Sequence, residues 1–233
     1  MQQLLLRAFT PRGQDPYHAP IFKEDFARTV AGTGLVRPSF FHYDDNGHHL
    51  PHGTPDIRFV SGRGWVGILS RSGDRNALEP VLGAVSRIVS DRYQRPIPIQ
   101  IEALEFGLER TDYPVRYYVR DLALRYARAQ TNPHKDMPNE ELLRVALWRK
   151  LRFESGRNGF DLPTLSELEI QVFSPMRESA MPLRPAHGVT NKAVYLLNGE
   201  FAMNLRLKGM WQIGHFPSRG YGRLVPQING VNA

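Results

Sequence analysis

The chain has 233 residues, 41% of them hydrophobic, enough for one large or two small domains with their own cores. It has no cysteine, which excludes disulfides, thiolate metal sites and thiol nucleophiles. The net charge is +7, from 30 Lys and Arg against 23 Asp and Glu, a balance that favours a polyanionic partner.

Only Lys23, Lys135, Lys150, Lys192 and Lys208 are lysines, so arginine supplies most of the positive charge. Its planar fork pairs with phosphate and stacks on bases, although a GC-rich coding bias produces the same ratio. No apolar run approaches the ~20 residues of a membrane-spanning helix. The start, Met1–Arg7, has only three consecutive leucines and reads as a strand rather than a signal peptide. A cytoplasmic protein is expected.

The first hundred residues alternate strand and helix signals. Leu4–Phe9 is a short apolar strand, and Phe22–Ala31 is a helix stopped by Gly32. Ser39–Tyr43 is aromatic and reads as extended, ending in the turn Asp44-Asp45-Asn46-Gly47. Asp56–Val60 and Trp65–Ser70 flank Ser61–Gly64 as a hairpin. Asn76–Glu79 has the form of a capping box opening a helix with Leu78, Leu82, Val85 and Val89 at helical spacing. Ile97, Ile99 and Ile101 alternate as a strand. The order is β-α-β-β-α-β, the ferredoxin-like pattern.

Further on, Leu104–Leu108 extends the strand, and Tyr113–Arg128 starts with period two and turns helical. Gln130–Asn139 is a polar loop. Pro138–Phe153 is a helix with Glu140 and Glu141 in its first turn, ending before Gly156 and Gly159. Leu165–Ser174 alternates. Ala193–Leu197 and Phe201–Leu207 flank Asn198-Gly199, a strong hairpin signal. These elements suggest domains at 1–104 and 105–233, with a helical insertion near 130–162.

Two segments carry the chemistry of RNA binding. Lys208–Arg223 holds four glycines, Gly209, Gly214, Gly220 and Gly222, with Lys208, Arg219 and Arg223 as cations and Trp211 and Tyr221 as stacking surfaces. Glycines let backbone amides turn outward to phosphate, and an ordinary surface loop has the same composition. In the helix, Arg144, Trp148 and Arg152 form one stripe, flanked by Arg149 and Lys150 and followed by Arg157. Such a face suits duplex phosphates, with Leu142, Leu143, Ala146 and Leu147 packed on the body. An amphipathic surface helix with Trp148 half-buried is the competing reading.

The glycine-rich tail closing on Gly220-Tyr221-Gly222 resembles the Cas-six family of CRISPR repeat endonucleases. The resemblance is strongest to the type IV branch with its arginine-rich helical finger. It implies an α+β fold: tandem ferredoxin-like (RRM-type) RAMP domains with a helical insertion and a C-terminal glycine-rich loop. It also implies an endoribonuclease that binds the crRNA repeat hairpin and cleaves by metal-independent 2′-OH attack. Other CRISPR effector subunits, a Cas-seven-like backbone among them, are implied partners, and no cofactor or metal is expected.

That reaction needs a base for the 2′-OH, cations for the phosphorane and an acid for the 5′-oxygen. His42, His48, His49 and His52 crowd eleven residues, in a region where relatives often place the catalytic histidine. His42 is the first choice, with Arg28 and Arg37 as the stabilising cations and His215 as a second candidate. His48, His49 and His52 with Asp44 and Asp45 also have the composition of a metal site, although a solvated loop fits them better. The alternatives to a nuclease are a non-catalytic RAMP subunit capping crRNA and an RNA-binding domain outside CRISPR.

Overall fold

The computed structural model describes residues 1–44, 46, 48, 55–125, 135–173, 177–182 and 193–227. It divides into two units, Met1–Phe106 with Pro217–Gly220, and Gly107–Phe216 with Tyr221–Ala233. The turn at Asp44–Gly47, the loop from Gln130 and the residues His49 and His52 lie partly or wholly outside the described residues.

The first unit runs β1 (Gln2–Phe9), α1 (Ala19–Val30), β2 (Ile57–Gly62), β3 (Trp65–Ser70), the short α2 (Arg75–Leu78), α3 (Leu82–Tyr93) and β4 (Ile99–Glu105). Its sheet has the order β2-β3-β1-β4, every pair antiparallel. That is the strand order of a split β-α-β-β-α-β unit. Alternate residues of β1, Leu4, Leu6 and Ala8, join Phe22, Phe26 and Val30 of α1 and Val85, Ile88 and Val89 of α3 in one buried core.

Two local expectations change here. Pro38–Phe41 is a 3-10 turn rather than an extended run. A strand sends neighbouring side chains to opposite faces. The turn instead directs two neighbours inward: Phe40 stacks on Phe26 at 5.6 Å and Phe41 on Phe59 at 6.1 Å. Pro38 presets the backbone for it. The helix cap is Asp74, not Asn76, because the Asp74 carboxylate accepts the Asn76 amide at 2.9 Å.

The second unit contains β5 (Gly107–Arg125), α4 (Asn139–Asn158), β6 (Ile170–Val172), β7 (Arg177–Pro182), β8 (Ala193–Lys208), β9 (Trp211–Gln212) and β10 (Arg223–Pro226). The sheet order is β6-β8-β5-β10-β9, with β7 also on β8. The strand β5 stays extended to Arg125, where the sequence pattern suggested a turn to helix. Tyr117 ties β5 to β8 through the core. Its ring stacks on Phe201 at 5.6 Å, and its hydroxyl donates to Leu205 O at 3.0 Å and accepts the Leu207 amide at 2.8 Å.

Asn198-Gly199 makes no hairpin; β8 passes straight through it. Val119 pairs with Gly199 and Leu122 with Leu197, so β5 carries one extra residue and bulges. Asp121, in the bulge, has φ 52°, and Asn198 Oδ1 accepts its amide at 2.9 Å. The Asn-Gly pair thus serves a bulge in the neighbouring strand, which local sequence cannot distinguish from a turn. The helix α4 also outruns its expected end. It crosses exposed Gly156 and stops at Gly159, where φ is 68°.

Candidate RNA-binding and catalytic site

The glycine-rich segment is held by its own backbone. In the second unit, the Gly222 amide donates to Asp121 O at 2.9 Å, while Gly222 O accepts the Ile213 amide at 2.8 Å. A Cβ on Gly222 would sit 1.8 Å from Ile213 O, and φ there is 71°. The His215 amide donates to Ala123 O at 2.8 Å. In the first unit, the Gly220 amide donates to Pro217 O at 3.1 Å. The amides of Gly220 and Gly222 are therefore taken by backbone carbonyls, Gly220 within its own turn and Gly222 by the neighbouring strand, where composition suggests outward amides. What these glycines supply is close approach of chain to chain.

The side chains of the segment divide by exposure. Trp211 is 1% exposed and donates to Lys208 O at 2.9 Å, so it belongs to the core and offers no stacking surface. Tyr221 is half-buried and meets Phe216 edge-on at 6.4 Å. Gly214 and His215 are exposed, and Arg223 is half-buried in β10 opposite Arg120. Lys208 pairs with Glu109 at 3.1 Å, and Arg206 pairs with the same carboxylate at 3.1 Å. These two cations, Lys208 first, hold the Glu109 carboxyl below its usual range.

Pro217–Gly220 lies in the first unit, where Gly220, at φ 84°, comes so close that a Cβ would be 2.7 Å from Ala19 Cβ and 3.0 Å from Phe59 O. This approach brings Arg219 beside Lys23 of α1. Lys23 is half-buried with Nζ 5.8 Å from the Phe59 ring centre. Burial first, then the charge of Arg219, lower its ammonium to about 8. Sequence reading missed Lys23. The available signal was its position beside Phe22, at the edge of the Phe22–Phe26–Val30 stripe, where a lysine is half-buried.

The other expected groups of this unit are spread out. His42 closes the 3-10 turn with φ 69°, its amide donating to Ser39 O at 3.0 Å, and is half-buried. Arg28 pairs with Asp25 at 2.5 Å and lines a groove with Tyr17, Arg87, Asp91 and Arg92. Arg37 lines a different cavity with Asp56, Asp74 and Asn76. Arg28 and Arg37, the two expected stabilising cations, therefore line different cavities. Asp44 Oδ1 accepts the amides of Asn46 and His48, an Asx-type turn. Among the described residues no cluster of three His, Asp or Glu is placed to share an ion.

On α4 the accessible face is rotated from the expected stripe. Leu142, Leu143, Leu147 and Leu151 are buried. Arg144 is held by Glu141 at 3.4 Å and donates to Ile170 O at 3.4 Å, and Trp148 is half-buried. Lys150 pairs at 2.5 Å with Glu154, whose side chain is fully buried. Arg149, Arg152, Phe153, Gly156 and Arg157 are exposed at a spacing that makes them one face. Arg149, Arg152 and Arg157 make no ion pair among the described residues, so this face offers three uncommitted guanidinium groups.

Two antiparallel sheets, a glycine-rich C-terminal segment and an arginine-bearing helix match the architecture of CRISPR-associated Cas6 proteins. Residues 1–229 match the sequence profile of the type IV CRISPR-associated endonuclease Csf5, and the chain belongs to that family. It is similar to a solved Csf5, a type IV Cas6 crRNA endonuclease. The two are 26% identical with a TM-score of 0.82, over 98% of this chain and 100% of that one.

Two Cas6b crystal structures share the fold, one described as a CRISPR RNA processing endoribonuclease. They are 16% and 14% identical, with TM-scores of 0.59 and 0.55, each over 97% of this chain and 100% of the other. A comparison with curated protein sequences returns no match. No helix among the described residues is long and apolar enough to cross a membrane.

Proposed function

We propose that this endonuclease binds the hairpin of a CRISPR repeat transcript and cleaves beside it by attack of the substrate's own 2′-OH. The observation that carries the reading is family membership over nearly the full chain. The 2′-oxygen forms a bond to phosphorus in line, and the bond from phosphorus to the 5′-oxygen breaks. The proton of the 2′-OH passes to a base and another reaches the departing 5′-oxygen. The products are a 2′,3′-cyclic phosphate and a 5′-OH. The nucleophile is internal to the substrate, so the mechanism requires no metal ion.

His42 is the proposed base, with His215 as the second candidate, and Arg28 and Arg37 remain proposed cations. Lys23, half-buried beside Arg219, is a further proposed cation for the charge on the phosphorane. Arg149, Arg152 and Arg157 suit the phosphates of the hairpin stem, with Arg144, Trp148 and Lys150 supporting the helix from behind. Lys208, Gly214, Arg219, Gly220, Tyr221, Gly222 and Arg223 form the proposed loop contact. By the same reading the enzyme stays on the 3′ hairpin as a subunit of an effector complex.

The test is purified protein with repeat RNA in EDTA. Cleavage at one site, abolished by a single 2′-deoxy substitution there, supports the reading. Binding without cleavage sinks the enzyme and leaves a capping subunit. His42→Ala is expected to slow cleavage with affinity nearly intact, and an unchanged rate removes His42 as the base.

A further inference from the structure

Around Tyr117–Arg120 one face of the second unit's sheet is in the core and the other is largely open, although further along β8 that second face is covered where Ala123, Val194 and Leu196 pack with Phe216 and Tyr221. Register separates them. Tyr117, Val119, Phe201, Met203 and Leu224 alternate onto the buried face. The intervening residues form rows on the other face. Arg116 stands opposite Ala202, Tyr118 between Val225 and Glu200, and Arg120 opposite Arg223. Phe173 follows β6, and its amide bonds to Glu200 O at 3.1 Å, which places it in the Tyr118 row.

The chemistry of this face is specific. Phe173 is 40% exposed, with the Arg116 guanidinium 4.6 Å from its ring centre. Arg116 is exposed, and Tyr118, Arg120 and Arg223 are half-buried. Arg120 pairs with Asp121 at 3.6 Å, and Arg116 is the cation that lies over the ring. A solvated sheet face has no need of an exposed phenylalanine under a guanidinium. A polyanion with flat apolar faces matches both features, because bases stack on the ring and phosphates pair with the arginines.

We infer that this sheet face is a platform for the single-stranded RNA flanking the hairpin, with Phe173 as the stacking ring and Arg116 and Arg120 along the backbone path. The inference rests on the hairpin-binding reading for its substrate, but it concerns a different surface from α4 and the glycine-rich segment. Stacking carries no base identity, so the platform takes flanks of any sequence. It adds affinity through base planes rather than through duplex shape.

The experiment uses the full chain and three RNAs: the bare hairpin, the hairpin with short uridine flanks, and the flank alone. Affinities are measured for the wild type, Phe173→Ala and Arg116→Gln. Loss of one stacked base is expected to weaken flanked RNA roughly 5- to 150-fold in Phe173→Ala, with the bare hairpin unaffected. An abasic flank should erase the difference between wild type and Phe173→Ala, while Arg116→Gln still weakens it. Equal affinity of wild type and Phe173→Ala for the flanked RNA overturns the platform and leaves the face to a protein partner. If the wild type ignores the bare hairpin, the hairpin-binding reading fails instead, and the flank alone decides the platform by the same comparison.

Discussion

Replacing Gly222 by alanine should destabilise the second unit even without RNA. The residue has φ 71°, and its new Cβ would lie 1.8 Å from Ile213 O. A left-handed conformation costs an L-residue about 1–2 kcal/mol. The close contact also forces Ile213 away, which endangers the Ile213–Gly222 bond of 2.8 Å and the Gly222–Asp121 bond of 2.9 Å. Each contributes about 1 kcal/mol net. Against this, alanine stiffens the unfolded chain by about 0.4–1 kcal/mol.

The balance is a loss of about 2–3 kcal/mol, or roughly a 1 M fall in urea midpoint at a slope of 2–3 kcal/mol per molar. The assay is urea unfolding followed by circular dichroism, with RNA affinity measured on the same preparations. A wild-type midpoint combined with weakened RNA binding would refute the reasoning, since Gly222 would then serve the RNA rather than the chain.

Glu154→Ala removes the buried carboxylate paired with Lys150, whose side chain is 13% exposed, and should cost about 3–5 kcal/mol in urea unfolding. The double change Lys150→Met with Glu154→Leu should recover most of that loss, and failure to do so would deny the pair its electrostatic role. Lys23 has a folded value near 8 against an ordinary 10.5, so the unfolded chain holds more protons between them. Stability should therefore rise with pH from about 8 to 10.5, and the rise should vanish in Lys23→Met. An identical pH trend in both proteins would place the lysine in open solvent. Changing Arg149, Arg152 and Arg157 together to glutamine should leave stability within about 0.5 kcal/mol. It should flatten the salt dependence of duplex-RNA binding by roughly 0.7–0.9 per lost phosphate contact. An unchanged slope means that this face of α4 does not meet RNA.

Much of the fold was legible because it was written in short-range pattern. The β1 alternation, the β2–β3 hairpin, α3 and α4 each follow from periodicity within a dozen residues. The misreadings share one cause. Asn198-Gly199 looks like a turn until β5 is seen to bulge opposite it, and Ser39–Tyr43 looks extended until Phe26 and Phe59 draw two adjacent phenylalanines inward. The site fared similarly. Composition marked candidate segments, but it could not say that Trp211 is core, that Arg144 is tied to Glu141 and Ile170, or that Arg28 is held by Asp25.

The sequence by itself determined the surplus of arginine, the clustered glycines and the helical spacing, because these are local properties. Only the tertiary structure decided which atoms face outward. Packing chose the Arg149–Arg152–Arg157 face of α4 over the Arg144–Trp148–Arg152 stripe, since the buried leucines fix the helix's rotation. Packing also gave the amide of Gly222 to the Asp121 carbonyl of β5. It set Arg219, near the chain's end, beside Lys23, near its start, and no local pattern records a contact between residues so far apart in sequence.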